Sequence, residues 1–220
     1  MRKGEPFVAT AVGAALLGCI LCSALAALSA RERYATQPGS SATPDLLVES
    51  IRDGQDVVGR KMPRLDFDRW LKTEKNKPLD TAGHVTLYRW WTDGCAHCEA
   101  TLPAVEKLRR KYASRGLRVV AVYHPKPPRE VPDKRVRAAA KDFGYAGPIA
   151  VDQDWSELTK FYLSTGDRPA TSASFLVDRD GVIRLAHPGP RFYPSDDPAD
   201  AKEDADYRAI DKAIDALLTK

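Results

Sequence analysis

Cys95-Ala96-His97-Cys98 sets two thiols two residues apart. The surrounding pattern predicts a buried apolar strand over Val85–Trp91 and a helix over Ala100–Tyr112. The two cysteines therefore fall where the strand gives way to the helix. Unpaired N–H groups and the positive end of the helix dipole gather there and favour a thiolate. Only the thiolate attacks a disulfide, and such surroundings lower a cysteine pKa to roughly 3.5–7.5. A second cysteine nearly one turn on can reach back and resolve the mixed disulfide. Two other chemistries use the same spacing. A structural zinc needs two further Cys or His ligands, usually as a second close pair. The only other cysteines, Cys19 and Cys22, lie in an apolar segment. A purely structural bridge would close so short a loop that it constrains the unfolded chain little. The spacing thus predicts a redox dithiol. Between the thiols, His97 can donate to the Cys95 thiolate or place positive charge beside it; the alternative is a solvated histidine at the helix start.

Phe7–Leu28 carries no charge and is long enough to cross a bilayer as a helix, which takes about 20 residues. Arg2 and Lys3 precede it, and Arg31, Glu32 and Arg33 follow. Residues 1–30 are therefore expected to be a signal-anchor, or a cleaved signal peptide ending at Ala24-Leu25-Ala26. Residues 31–56 are expected to form a flexible linker, led by the polar stretch Tyr34–Pro44, with a short helix over Asp45–Arg52. Residues 57–220 remain as one domain, long enough for a real core. Either N-terminal reading exports that domain into an oxidising compartment. The net charge of +4 is spread along the chain without a basic, aromatic-rich cluster, so no nucleic acid is implied.

Val57–Trp70 reads as an irregular lead-in to a short strand. After the dithiol the pattern alternates: strand Leu117–Tyr123, helix Asp133–Phe143, strand Ile149–Val151 and helix Trp155–Leu163. A hairpin follows, with arms Ser174–Val177 and Val182–Ala186 and a turn at Asp180-Gly181. Ser195–Asp204 reads as an acidic loop, and Tyr207, Ile210, Ile214 and Leu217 line one face of a closing helix. Pro103 is expected to kink the helix that carries the dithiol.

The segment RWWTDGCAHCEATLPAVEKL, with LRVVAVY, GPIAVDQD and SFLVDRDGVIR, resembles the membrane-anchored thioredoxin-like oxidoreductases of the TlpA/ResA/redoxin group over about Gly59–Leu218. The resemblance implies an α/β, thioredoxin-like fold, a central mixed sheet flanked by helices, preceded by one N-terminal transmembrane or signal helix. It implies that Cys95 is the low-pKa nucleophile and Cys98 the resolving thiol, the two forming the redox-active disulfide with His97 beside them. Thr171 and Ser172 would form the loop that pairs with substrate. Implied partners are thiols or disulfides of exported proteins, with apocytochrome c a family-level suggestion, and a membrane redox partner. No organic cofactor is implied, and the implied location is the periplasmic side of a bacterial inner membrane.

The chain departs from the group in four places. Gly94 stands where Trp is usual, and Thr101 where Glu is frequent. Arg89 replaces the acid that thioredoxins carry six residues before the first cysteine; it would favour a thiolate, or snorkel to the surface. Ser172 aligns with the proline that faces the CxxC, while Pro169 lies three residues earlier, so either residue could take that place. Ser172 there would bring the chain nearer the peroxiredoxin-like side of the superfamily, yet Thr92-Asp93-Gly94-Cys95 lacks the Pro and Thr of a peroxidatic site. His124 and His187 each follow a strand ending on the dithiol side. A lone loop histidine is expected to face solvent, but together the two suggest an alternative: a copper-binding chaperone using Cys95, Cys98 and a histidine such as His187, since thiolates and imidazole suit copper. A non-catalytic anchored binding module is the remaining reading.

Overall fold

The structure is a computed structural model and describes residues 54–165, 168 and 170–220. The expected signal or anchor over 1–30, nearly all of the expected linker, and Pro169 lie outside the described residues. Among the described residues no helix is long and apolar enough to cross a membrane.

Six strands form one mixed sheet. They are β1 (Arg69–Leu71), β2 (Thr86–Trp91), β3 (Arg118–Tyr123), β4 (Ile149–Val151), β5 (Ser174–Val177) and β6 (Ile183–His187), in the order β1-β4-β3-β2-β5-β6. β2, β3 and β4 run parallel, while β1, β5 and β6 join antiparallel. Parallel strands covered on both faces read as unbroken apolar runs, and VVAVY in β3 and IAV in β4 are buried throughout. The helices are α1 (Ala96–Tyr112), α2 (Asp133–Asp142), α3 (Ser156–Phe161) and α4 (Ala201–Thr219).

Alternation along β2 divides the core in two. Leu87 and Trp91 point to the face packed by α1, α2 and α4, where Leu102, Val105, Leu108, Val136, Ile210 and Ile214 meet them. Tyr88 and Trp90 point to the other face, with Val120, Val122, Leu158, Phe161 and Phe175. There the Trp90 ring sits 5.6 Å from Phe175, 6.0 Å from Phe161 and 6.2 Å from Phe67, centroid to centroid. Burying such rings contributes about 1.5–3 kcal/mol each. Val57, at the end of a short 3-10 turn over Gln55–Val57, is buried in the same layer.

Three helices depart from expectation by more than a residue. The helix bearing the dithiol begins at Ala96, not Ala100, because Cys95 itself caps it. It runs unbroken through Pro103 to Tyr112. The closing helix begins at Ala201, inside the stretch expected to be loop; Glu203 and Asp204 occupy its first turn, where carboxylates complement the dipole. The helix expected over Trp155–Leu163 is shorter: α3 ends at Phe161, and Leu163–Thr165 forms a 3-10 turn.

Candidate active site

The site forms where β2 ends and α1 begins. Gly94 makes the bend with φ +66°, a left-handed conformation that glycine alone adopts without cost, and a side chain there would meet nothing within 4 Å. Backbone geometry thus accounts for glycine at this position. Cys95 follows in extended conformation as N-cap, and its sulfur accepts the Cys98 N–H at 3.3 Å. The Cys95 carbonyl accepts from Cys98 at 2.9 Å and Glu99 at 3.0 Å. Cys95 is half-buried and Cys98 fully buried; their sulfurs face each other at 2.7 Å.

Two thiols this close titrate as one acid: the first proton leaves easily and the second is held. The hydrogen bond between the two sulfurs does most to pull the Cys98 thiol down, to about 5. The Arg89 charge and the Ser172 hydroxyl at 3.4 Å assist, against the effect of burial. Cys95 is pushed up, first by its bond to Cys98, then by burial and the Cys98 charge; the Cys98 N–H and Arg89 oppose this. The anion belongs to the pair, and what distinguishes Cys95 is access.

Arg89 does not snorkel. It is completely buried on β2, on the dithiol face of the sheet. Its Nη1 donates to the Ser172 carbonyl at 2.7 Å and the Ser174 hydroxyl at 3.3 Å, and its Nη2 to the Pro190 carbonyl at 2.6 Å. The stem of an arginine in the middle of a strand cannot reach water when the strand is covered on both faces.

His124 and His187 are also buried rather than solvent-facing. The Trp91 carbonyl, 2.9 Å from His124 Nδ1, fixes the proton there, so Nε2 accepts from the Thr171 hydroxyl at 2.8 Å. Burial pulls this imidazole down to about 3. His187 Nε2 donates to Asp206 Oδ2 at 3.1 Å, and Lys202 reaches the same oxygen at 2.6 Å. Burial lowers the His187 pKa, and Asp206 opposes that shift. Among the described residues no group of three or more His, Cys, Asp or Glu is placed to hold a metal, so Cys95, Cys98 and His187 are not brought together as ligands.

The Thr171–Ser172 loop is thereby held from two sides: Thr171 by His124, and Ser172 by Arg89 and the Cys98 sulfur. Ser172 faces the dithiol, its hydroxyl 3.4 Å from the Cys98 sulfur. His97 is exposed in the first turn of α1, and its carbonyl accepts from the buried Thr101 hydroxyl at 2.8 Å.

Sequence reasoning missed two features. Asp93, two residues before Cys95, accepts from the Tyr123 hydroxyl and from Arg135 Nε, both at 2.7 Å, tying the turn to β3 and α2. The Asp206–Lys202 pair behind His187 was also missed. Its only signal is the i, i+4 spacing within an acidic helix, where such pairs are common.

A protein-family model described as Redoxin matches residues 57–204. DipZ of Mycobacterium tuberculosis is 30% identical over 118 residues, covering 52% of this chain and only 16% of that protein. The thioredoxin-like protein YneN of Bacillus subtilis is 33% identical over 132 residues, covering 60% of this chain and 71% of YneN. Among solved structures, a thiol-disulfide isomerase from Corynebacterium glutamicum superposes with a TM-score of 0.52 at 20% identity, covering 72% of this chain and 96% of that one. At that identity the superposition speaks for the thioredoxin-like fold alone.

Proposed function

The chain belongs to the redoxin family, and from that premise we propose that it is an extracytoplasmic thiol–disulfide oxidoreductase exchanging disulfides with exported proteins. The observation that carries the reading is the facing of the half-exposed Cys95 sulfur and the buried Cys98 sulfur at 2.7 Å, at the start of a 17-residue helix. A partner's sulfur bonds to Cys95, the accessible one, and Cys98 closes or opens the internal disulfide. The Thr171–Ser172 loop, held beside the pair, offers its backbone to the partner's chain. His97 lies exposed in the first turn of the same helix, and the family resemblance gives it the role of placing charge beside Cys95. The exchange calls on no organic cofactor. Apocytochrome c thiols and a membrane redox partner remain the substrates and recycling route that the family resemblance suggests.

The test is exchange itself. The domain is expected to form an internal Cys95–Cys98 disulfide, to equilibrate with glutathione, and to change the disulfides of insulin or of a refolding protein. Absence of exchange with all three would overturn the reading.

The location rests on the Phe7–Leu28 run and the polar stretch after it. A reporter fused after Lys220 is expected to work only if it is of the kind active outside the cytoplasm. Activity of a cytoplasm-dependent reporter would remove the location and the oxidising context with it.

A further inference from the structure

A guanidinium taken out of water needs an anion, and breaking a buried pair is far more costly than leaving one exposed. Arg89 is 0% exposed, and the acceptors it has found are neutral: the carbonyls of Ser172 and Pro190 and the hydroxyl of Ser174. The Phe192 ring lies 5.7 Å away, and Nε has no partner. Among the described residues no carboxylate forms an ion pair with it. Its ionisable neighbours are few. From α1 come Cys95 and Cys98, and Ser172 lies against both sides: its carbonyl accepts from Arg89 at 2.7 Å and its hydroxyl sits 3.4 Å from the Cys98 sulfur. From the segment after β3 comes His124, and from β6 comes His187, both kept neutral by burial and by this same guanidinium. Asp206, beyond His187, is bonded to His187 and Lys202. Among the described residues, negative charge can therefore reach Arg89 only from the thiols, and only when their disulfide is open.

We propose that Arg89 is the counter-ion of the Cys98 thiolate, and that it biases the pair toward giving its disulfide to protein dithiols. This rests on the exchange reading above and adds its direction. A substrate thiolate attacks the accessible Cys95 sulfur. The Cys95–Cys98 bond breaks, a Cys95–substrate bond forms, and Cys98 leaves as thiolate beside Arg89. The second substrate thiol, losing its proton to water, then attacks its neighbour's sulfur in the mixed disulfide and releases Cys95, which takes up a proton. The substrate is oxidised by two electrons to a disulfide. The site is reduced by two electrons and keeps one proton, the other going to solvent. A leaving thiolate that is better stabilised leaves faster, and stabilising the reduced form raises the reduction potential. In the oxidised state the same guanidinium is buried without an anion, which favours the same direction.

The test is the equilibrium with glutathione, measured for the wild type, Arg89→Met and Arg89→Lys. Arg89→Met is expected to shift the constant toward the disulfide by about tenfold or more, about 30 mV for this two-electron couple. Arg89→Lys, which keeps the charge, is expected to recover most of the difference. A folded Arg89→Met within twofold of wild type would overturn the proposal. Should Arg89→Met not fold, the wild type decides alone. Reducing its disulfide with glutathione at pH 7, where glutathione is protonated, is expected to release one proton to solvent, and release of none would show that no thiolate is held. If the wild type forms no disulfide and does not equilibrate, the exchange reading falls and takes this one with it. Normal exchange with an indifferent Arg89 removes this one alone.

Discussion

Cys98→Ser will accumulate as mixed disulfides with its protein partners, and Cys95→Ser will not. The asymmetry follows from exposure. Cys95 is half-buried at the helix tip, whereas Cys98 has no exposed surface and lies under the Thr171–Ser172 loop. A folded partner can bond to the first sulfur but has no path to the second. Without Cys98 the mixed disulfide has no internal thiol to resolve it, so a transient species becomes the major product of a single turnover. Without Cys95 the remaining thiol is sheltered and has lost the neighbour that did most to acidify it. Non-reducing electrophoresis after mixing each variant with a disulfide-bearing protein reads the result directly. Equal trapping by both variants, or trapping only by Cys95→Ser, would reverse the roles.

The parts of this site legible in the sequence are those made from neighbours in the chain. The two thiols, the strand before them and the helix after them lie within one short segment, and the apolar runs of β3 and β4 announce their own burial. The start of α1 was placed late because its cap is a cysteine and its first turn, Ala96-His97-Cys98-Glu99, has no apolar period. The burial of Arg89 is illegible for a different reason. One charge in a strand reads as a side chain reaching for water, and the carbonyls that hold it come from positions 83 and 101 residues later. His124 and His187 were misjudged in the same way: Thr171 is 47 residues from the first, and Asp206 is 19 from the second. Polar groups inside a core are bonded almost without exception, but pattern along one chain does not say to what. Ser172 is an intermediate case. The resemblance placed it opposite the CxxC; its contact with Cys98 at 3.4 Å is a property of the fold.

Asp152→Ala will destabilise the domain by about 3–5 kcal/mol, while Asp152→Asn will cost about 1–2 kcal/mol. Asp152 follows β4 directly and is fully buried. Its Oδ2 accepts the Trp90 indole N–H at 3.0 Å and the Leu158 N–H at 3.1 Å, and its Oδ1 accepts the Glu157 N–H at 3.1 Å. One carboxylate thus joins the central strand to the first turn of α3. That helix has no side-chain cap from its own N-cap residue, Trp155, which sits at φ +67°. Alanine removes both oxygens and leaves three donors without their acceptor inside the aromatic layer of Trp90, Phe161 and Phe175. Each costs about 1–3 kcal/mol, less whatever relaxation recovers. Asparagine keeps one oxygen for Trp90 and gives up a charge that burial already disfavours, since burial raises the Asp152 pKa. Urea unfolding of the three proteins measures the order, and Asn as damaging as Ala would show that charge, not hydrogen bonding, is what the site requires. Trp90 faces away from the dithiol, on the opposite side of β2 from Arg89 and Trp91. Folded Asp152→Asn is therefore expected to equilibrate with glutathione as the wild type does, separating what holds the sheet together from what sets its chemistry.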